Sequence, residues 1–265
     1  MSQSQSATVI FLGTGTSVGV PAIGCDCAVC QSSDPRDNRT RCAIIVELPG
    51  GTLLIDTPPD LRTQFLREKI PLAHAVLFTH EHADHLFGLD DVRLFPFRLG
   101  SPVPLYCEPK VEKRIRHSFD YAFSKTKPTH PGARPQLEFH SINENDPFEI
   151  LGASIIPIPL KHGPNFDVLG FRIGDFAYCT DTNEIPPESL ERLQGVKTFV
   201  VGALRHHPHP THFSVNEAIE VAKEVKAERT LLTHLGHDLG YRETMAKLPN
   251  GIELAYDGLR LTATL

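Results

Sequence analysis

The sequence predicts a mixed fold of the α/β (α+β) class, with residues 1–265 forming a single domain. Two observations predict it. Short β-branched and apolar runs, each stopped by Gly, Pro or a polar residue, alternate with segments of helical spacing. No linker, low-complexity tract or fixed-period repeat interrupts them, and the 40% apolar content is enough for a substantial core.

In chain order, Thr8 to Leu12 is β-branched and apolar, and Ala43 to Leu48 and Thr52 to Ile55 flank a Pro49-Gly50-Gly51 turn. Ala75 to Phe78 is a further strand. The second half repeats the pattern loosely, with strands expected at Ala153 to Pro159, Val168 to Ile173, Phe176 to Cys179, Thr198 to Val201 and Thr230 to Leu232. Helices are expected at Leu61 to Arg67, Leu86 to Arg98, Ser189 to Leu193 and Val215 to Glu228. The last has the strongest signature: Ser214 and Glu217 form a capping box, and Val215, Ala218, Ile219, Ala222 and Val225 give one apolar face.

The N-terminus lacks a basic n-region, and Val9 to Leu12 is too short for a signal or membrane segment, so a cytoplasmic protein without membrane contact is expected. A net charge of −6 argues against a general nucleic-acid surface. A homodimer is compatible with the sequence.

Thr79-His80-Glu81-His82-Ala83-Asp84-His85 directly follows an apolar run. Imidazoles with a carboxylate suit a borderline divalent cation. On a strand running into a turn, His80 and His82 would share a face while Asp84 and His85 lie beyond the bend, so two adjacent ions are expected. Later candidates sit where strands end: His162, Asp181 in Tyr-Cys-Thr-Asp-Thr, and His234 in Leu-Leu-Thr-His. Any one alone reads as an ordinary loop residue.

Together these seven positions resemble the metallo-β-lactamase superfamily, whose hydrolases bind two metals through His-x-His-x-Asp-His followed by a later His, an Asp and a final His. The resemblance implies an αββα sandwich. It assigns His80, His82 and His162 to one zinc or manganese ion, Asp84, His85 and His234 to a second, and Asp181 to both. Asp56 matches an early aspartate expected to orient the ligands. Two close cations lower the pKa of a shared water from about 16 toward 7, making hydroxide available to attack an ester.

Cys25, Cys27 and Cys30 lie within six positions. Three thiolates there can converge on a structural zinc, with His237 as the fourth ligand, whereas a Cys25–Cys27 bridge would close a small strained ring. Cys42, Cys107 and Cys179 are isolated and read as buried thiols. The cysteine loop, the Leu12 to Pro21 segment, the seven ligands and Thr211-His212-Phe213-Ser214 together resemble a narrower group. This group contains the phosphoribosyl cyclic phosphodiesterases of the carbon–phosphorus lyase pathway, with pyrroloquinoline quinone biosynthesis protein B as a related branch. The resemblance implies opening of a cyclic phosphate, phosphoribosyl 1,2-cyclic phosphate among the candidates, at a dinuclear site with a separate structural zinc.

His212, two residues before the helix cap, is the expected general acid, since an imidazole titrates near neutral pH and the family places its proton donor in this loop. Asp84 is expected to assist the attacking water. His206, His207 and His209 read as solvated neighbours. The glycines of Thr14 to Gly19 would let backbone amides approach an anion. Lys110 to Arg134 carries seven Lys or Arg residues against Glu112 and Asp120. Because Lys113, Arg114 and Arg116 do not share one helix face, a phosphate-gripping lid and a solvated surface are equally open readings. Competing functions are an RNA 3′-processing nuclease and a non-hydrolytic cofactor-biosynthesis or zinc-stabilised binding protein.

Overall fold

Two seven-stranded sheets pack face to face in the computed structural model, which describes residues 5–124, 126 and 129–265. Lys125 and Lys127 of the basic segment lie outside the described residues. The first sheet has the order β14-β1-β2-β3-β4-β5-β6, from β1 (Ser6–Gly13), β2 (Ala43–Leu48), β3 (Gly51–Ile55), β4 (Ala75–Leu77), β5 (Val103–Cys107), β6 (Leu137–Ser141) and β14 (Arg260–Thr264). The second has the order β13-β12-β11-β10-β9-β8-β7. Its strands are β7 (Phe148–Ile150), β8 (Ala153–Lys161), β9 (Asp167–Ile173), β10 (Phe176–Cys179), β11 (Thr198–Gly202), β12 (Arg229–Thr233) and β13 (Ile252–Leu254). Each half of the chain therefore builds one sheet, with β14 returning to the first.

Within each sheet three pairings are antiparallel and three parallel. The parallel pairs need crossovers, and the helices supply them. α1 (Leu61–Glu68), α2 (Ala83–Leu86), α3 (Pro96–Leu99) and α4 (Pro109–Ser118) serve the first sheet; α5 (Pro187–Leu193), α6 (Val215–Val225) and α7 (Tyr241–Met245) serve the second. Three apolar clusters result. Phe11, Ile44, Val46, Phe171 and Tyr178 fill the space between the sheets; Ile10, Ala43, Ile45 and Val111 face α1 and α4; Ala177, Cys179, Phe199 and Ala218 face α5 and α6. Neighbouring residues of one strand thus serve opposite cores, which is why these strands read as continuous apolar runs. The layers are α, β, β, α. Among the described residues no helix is long and apolar enough to cross a membrane.

The helix expected over Leu86 to Arg98 is broken. α2 ends at Leu86, a 3₁₀ turn occupies Leu89–Leu94, and α3 starts at Pro96. Gly88 lies so close to Pro58 that an added Cβ would meet its carbonyl oxygen at 2.0 Å, and Pro96 has no N–H to continue a helix. α6 has its capping box, with Ser214 N donating to Glu217 Oε2 at 2.7 Å, and it stops at Val225 because Lys226 turns left-handed.

Phe171 is fully buried between the sheets. Phe171→Ala should lower unfolding stability by about 3–5 kcal/mol in a urea titration.

Candidate metal centre

The C-terminal ends of β3, β4, β10 and β12 open on one edge of the sandwich, and the loops leaving them carry Asp56, His80 to His85, Asp181 and His234. Outside the carboxyl ends of parallel strands is where an open sheet leaves a crevice. His162 arrives from the end of β8. The His80–His82 segment is a loop, not the strand end expected: β4 stops at Leu77, and Asp84 and His85 lie in the first turn of α2. Asp56, Asp181 and His234 all have left-handed backbones, with φ of 66°, 46° and 57°. Such strain in non-glycine residues persists only where the surroundings enforce it.

All seven expected ligands converge. His80, His82 and His162 offer ligand atoms within 4.8 Å of one another, and so do Asp84, His85, Asp181 and His234. Asp181 spans the two groups, 3.2 Å from His85 Nε2, 3.3 Å from His234 Nε2 and 4.0 Å from His80 Nε2. His85 Nε2 and His234 Nε2 lie 3.4 and 3.6 Å from Asp84 Oδ2. Ligands bonded at about 2.0–2.1 Å to one tetrahedral ion sit about 3.3 Å apart, which matches this spacing.

The ring nitrogens show which way the lone pairs point. His85 Nδ1 donates to Asp56 Oδ2 at 2.8 Å, and His162 Nδ1 donates to the Thr211 carbonyl at 2.8 Å. Thr79 Oγ1 donates to Asp56 Oδ2 and accepts from His80 Nδ1 at 2.9 Å. In His80 this leaves Nε2 as the acceptor. Burial disfavours a charged His85, but Asp181, Asp84 and Asp56 raise it well above its ordinary range, so a cation there would take the place of its Nε2 proton. Both Nε2 atoms are buried without a hydrogen-bond partner among the described residues. Both nitrogens of His234 are likewise unpartnered. A buried acceptor without a donor is costly, and a divalent cation removes that cost. These residues therefore fit a pair of cations. Burial pushes the His80 and His162 rings toward the neutral, ligating form. Burial opposes ionisation of Asp84 and Asp181, but His85 and His234 hold both carboxyls well below their ordinary range.

His212 lies at the mouth of the site. Its ring stacks on His234 at 4.7 Å and meets His162 edge-on at 4.7 Å. Burial, reinforced by His234, pushes it down to about 3. His209 is 5.2 Å from His212 but is engaged by Thr211, while His206 and His207 are exposed.

The Thr14 to Gly19 loop does not present its glycine amides to an anion. Gly15 N donates to Thr40 O, Thr16 N to Leu235 O and Gly19 N to Thr16 O. The glycines instead allow close approach, since a Cβ on Gly15 would meet Arg39 O at 2.6 Å. The loop buttresses the residue after His234.

At a separate site Cys25, Cys27, Cys30 and His237 gather within 4.8 Å. Cys25 Sγ and Cys27 Sγ each lie 3.4 Å from His237 Nδ1, where a tetrahedral zinc sets about 3.5 Å. The Cys30 amide and His237 lower the Cys27 thiol to about 6, favouring the thiolate. Arg39, which the sequence did not single out, is buried between the loops bearing these ligands. Its guanidinium donates to Gly236 O and Leu239 O and pairs with Asp37. Thr79 and Thr211 were also missed, since a hydroxyl or carbonyl behind a ligand leaves no spacing signal. Cys42, Cys107 and Cys179 are buried as expected.

Asp56→Ala should weaken metal retention by about 10–100-fold in a chelator competition. His237→Ala should remove one metal equivalent per chain in elemental analysis and leave the others in place.

Comparison with known proteins fits this geometry. Residues 52–235 match the family model described as the β-lactamase superfamily domain. The structure of a diphosphatase from the PhnP family is 45% identical, covers 99% of this chain and 100% of its own, and superposes with a TM-score of 0.91. Zinc-bound PqqB from Methylobacterium extorquens shares the fold at a TM-score of 0.80 and 19% identity, covering 96% of this chain and 99% of its own. An octanoyltransferase of Porphyromonas gingivalis is 36% identical over 94% of this chain but only 50% of its own length. The chain thus spans about half the length of that curated relative. The chain belongs to the β-lactamase superfamily and has the metallo-β-lactamase fold.

Proposed function

We propose that the protein is a metal-dependent phosphodiesterase that opens a small cyclic phosphate, with phosphoribosyl 1,2-cyclic phosphate as the candidate substrate. The observation that carries this reading is the stack of His212 on His234, which puts a titratable imidazole beside a site for two cations. His80, His82 and His162 would hold one ion, Asp84, His85 and His234 the other, and Asp181 both; zinc and manganese suit these donors. When bound, such a pair supplies hydroxide at neutral pH and screens phosphoryl oxygens.

The chain's own residues do the rest. Asp84, kept anionic by His85 and His234, accepts a hydrogen bond from the attacking water and orients it. His212 gives its proton to the departing sugar oxygen. An imidazole pushed down to about 3 is neutral at pH 7 in the free enzyme, so it must gain its proton when the phosphate anion arrives beside it. Phosphate binding and loading of the acid are thereby coupled.

The PhnP-family diphosphatase favours a second reading of the same site, hydrolysis of a diphosphate bond, because attack at phosphorus needs the same groups. Acyl transfer has less support in this half of the longer relative. Burial pushes Cys42 and Cys107 up to about 12 and raises Cys179 further, so none of these three thiols is a ready acyl carrier.

His212→Ala should lower kcat about 10²–10⁴-fold on the cyclic sugar phosphate. It should matter much less on bis-p-nitrophenyl phosphate, whose leaving group departs as a stable anion. Equal wild-type and variant rates on the cyclic substrate would remove His212 as the acid. Faster turnover of a nucleoside diphosphate than of any cyclic ester would select the second reading.

A further inference from the structure

Within the basic segment, which the sequence leaves open between a lid and a solvated surface, the charged residues of α4 divide between two faces. On α4, Val111 and Ile115 are buried against the first sheet. Arg116 turns to the rings of Phe123 and Phe139, at 4.8 and 4.5 Å, and pairs with Glu112. Lys110, Lys113, Arg114 and His117 follow i, i+3, i+4, i+7 spacing, so they share a third face, and all four line one cavity of about 330 Å³. The remaining wall is Glu81, the residue between His80 and His82.

That neighbour is decisive, because Glu81 is adjacent in the chain to two candidate metal ligands. A second tie reinforces it. Lys110 Nζ donates to the Asp167 carbonyl at 2.6 Å, and the preceding Phe166 ring packs on His82 at 5.1 Å. Lys110 also pairs with Glu108, but Lys113 and Arg114 have no ion-pair partner among the described residues. With Lys110 neutralised by Glu108, Lys113 and Arg114 still outnumber the one lining carboxylate, Glu81, and leave the cavity positive in a chain of net charge −6. Local positive potential in an acidic protein attracts an anion to one place.

We propose that Lys113 and Arg114, with His117 beside them, form the subsite for a second phosphate of the substrate, one not broken in the reaction. This rests on the phosphodiesterase reading and adds to it the place where the phosphate that stays intact is held, whether it is the distant phosphomonoester of a sugar cyclic phosphate or the second phosphate of a diphosphate. Lys113 and Arg114 are specificity-determining residues and take no part in bond breaking. The cavity accepts a compact dianion through charge-assisted hydrogen bonds.

The test compares ribose 1,2-cyclic phosphate with its 5-phosphorylated form as substrates for the metal-loaded full chain. In Lys113→Ala/Arg114→Ala, the kcat/KM preference for the 5-phosphorylated form should fall about 10- to 100-fold, through KM. Arg116→Ala, on the same helix but facing the rings, should leave the preference intact. An unchanged preference in the double variant, or an equal loss in Arg116→Ala, overturns the subsite. Pyrophosphate is the second arm: loss of its competitive inhibition in the double variant, with inhibition by orthophosphate kept, favours the diphosphate source. If the wild type cleaves neither cyclic phosphate, the phosphodiesterase reading fails by itself. Calorimetric titration with ribose 5-phosphate then decides the subsite: binding weakened at least about tenfold in the double variant supports it, and absent or equal binding overturns it.

Discussion

Asp56 sets the terms for the rest of the site. Its fully buried carboxylate accepts from Thr79 N, Thr79 Oγ1 and His85 Nδ1, so one side chain fixes the loop after β4 and the tautomer of a ligand on α2. Burial raises that carboxyl above its ordinary range, and His85 and the two Thr79 donors offset only part of the rise. Losing the Thr79 hydroxyl leaves a buried charge underpaired, and losing the carboxylate frees His85 to rotate. The left-handed φ of Asp56 follows from the same demand, because the chain must turn at once from β3 into the carboxylate's pocket.

From this anchor the site is built by subtraction of partners. Nδ1 atoms of His80, His85 and His162 are each satisfied from behind, while the Nε2 atoms of His80 and His85 and both nitrogens of His234 are buried without a hydrogen-bond partner among the described residues. A protein that leaves several buried acceptors unmet couples its folding to whatever meets them. The cysteine loop applies the same logic at the surface. Cys25, Cys27, Cys30 and His237 join the amino-terminal loop to the segment just beyond His234, and buried Arg39 ties the same two segments from inside. Two independent fastenings thus hold His234 at the strained turn where the second sheet meets the first.

The strand-end ligands were legible because each follows an apolar run and the runs are unambiguous: Ala43–Leu48 and Phe176–Cys179 have the bounds read from the sequence. Other elements gave weaker signals. β5 carries Pro104 among its five residues, β6 mixes Glu138 and His140 with its apolar positions, and β14 is defined only by its pairing with distant β1. The false helix over Leu86 to Arg98 has true helical spacing. What breaks it is a backbone contact between Gly88 and Pro58, which local sequence does not encode. Arg39 was invisible for the same reason, since its acceptors are carbonyls nearly 200 residues away in the chain.

The charge pattern of α4 is legible in the sequence once Arg116 is set apart from its neighbours. Lys110, Lys113, Arg114 and His117 are spaced as one helical face, and including Arg116 made the charges look scattered. The distinction has a consequence for how specificity arises in this fold. The residues that would hold the cations are fixed by buried hydrogen bonds and strained turns. α4 is anchored by Val111 and Ile115 and by Arg116 over the rings of Phe123 and Phe139, and Lys113 and Arg114 take no part in that packing. The charges of the proposed subsite can therefore be changed without disturbing the residues that would hold the cations.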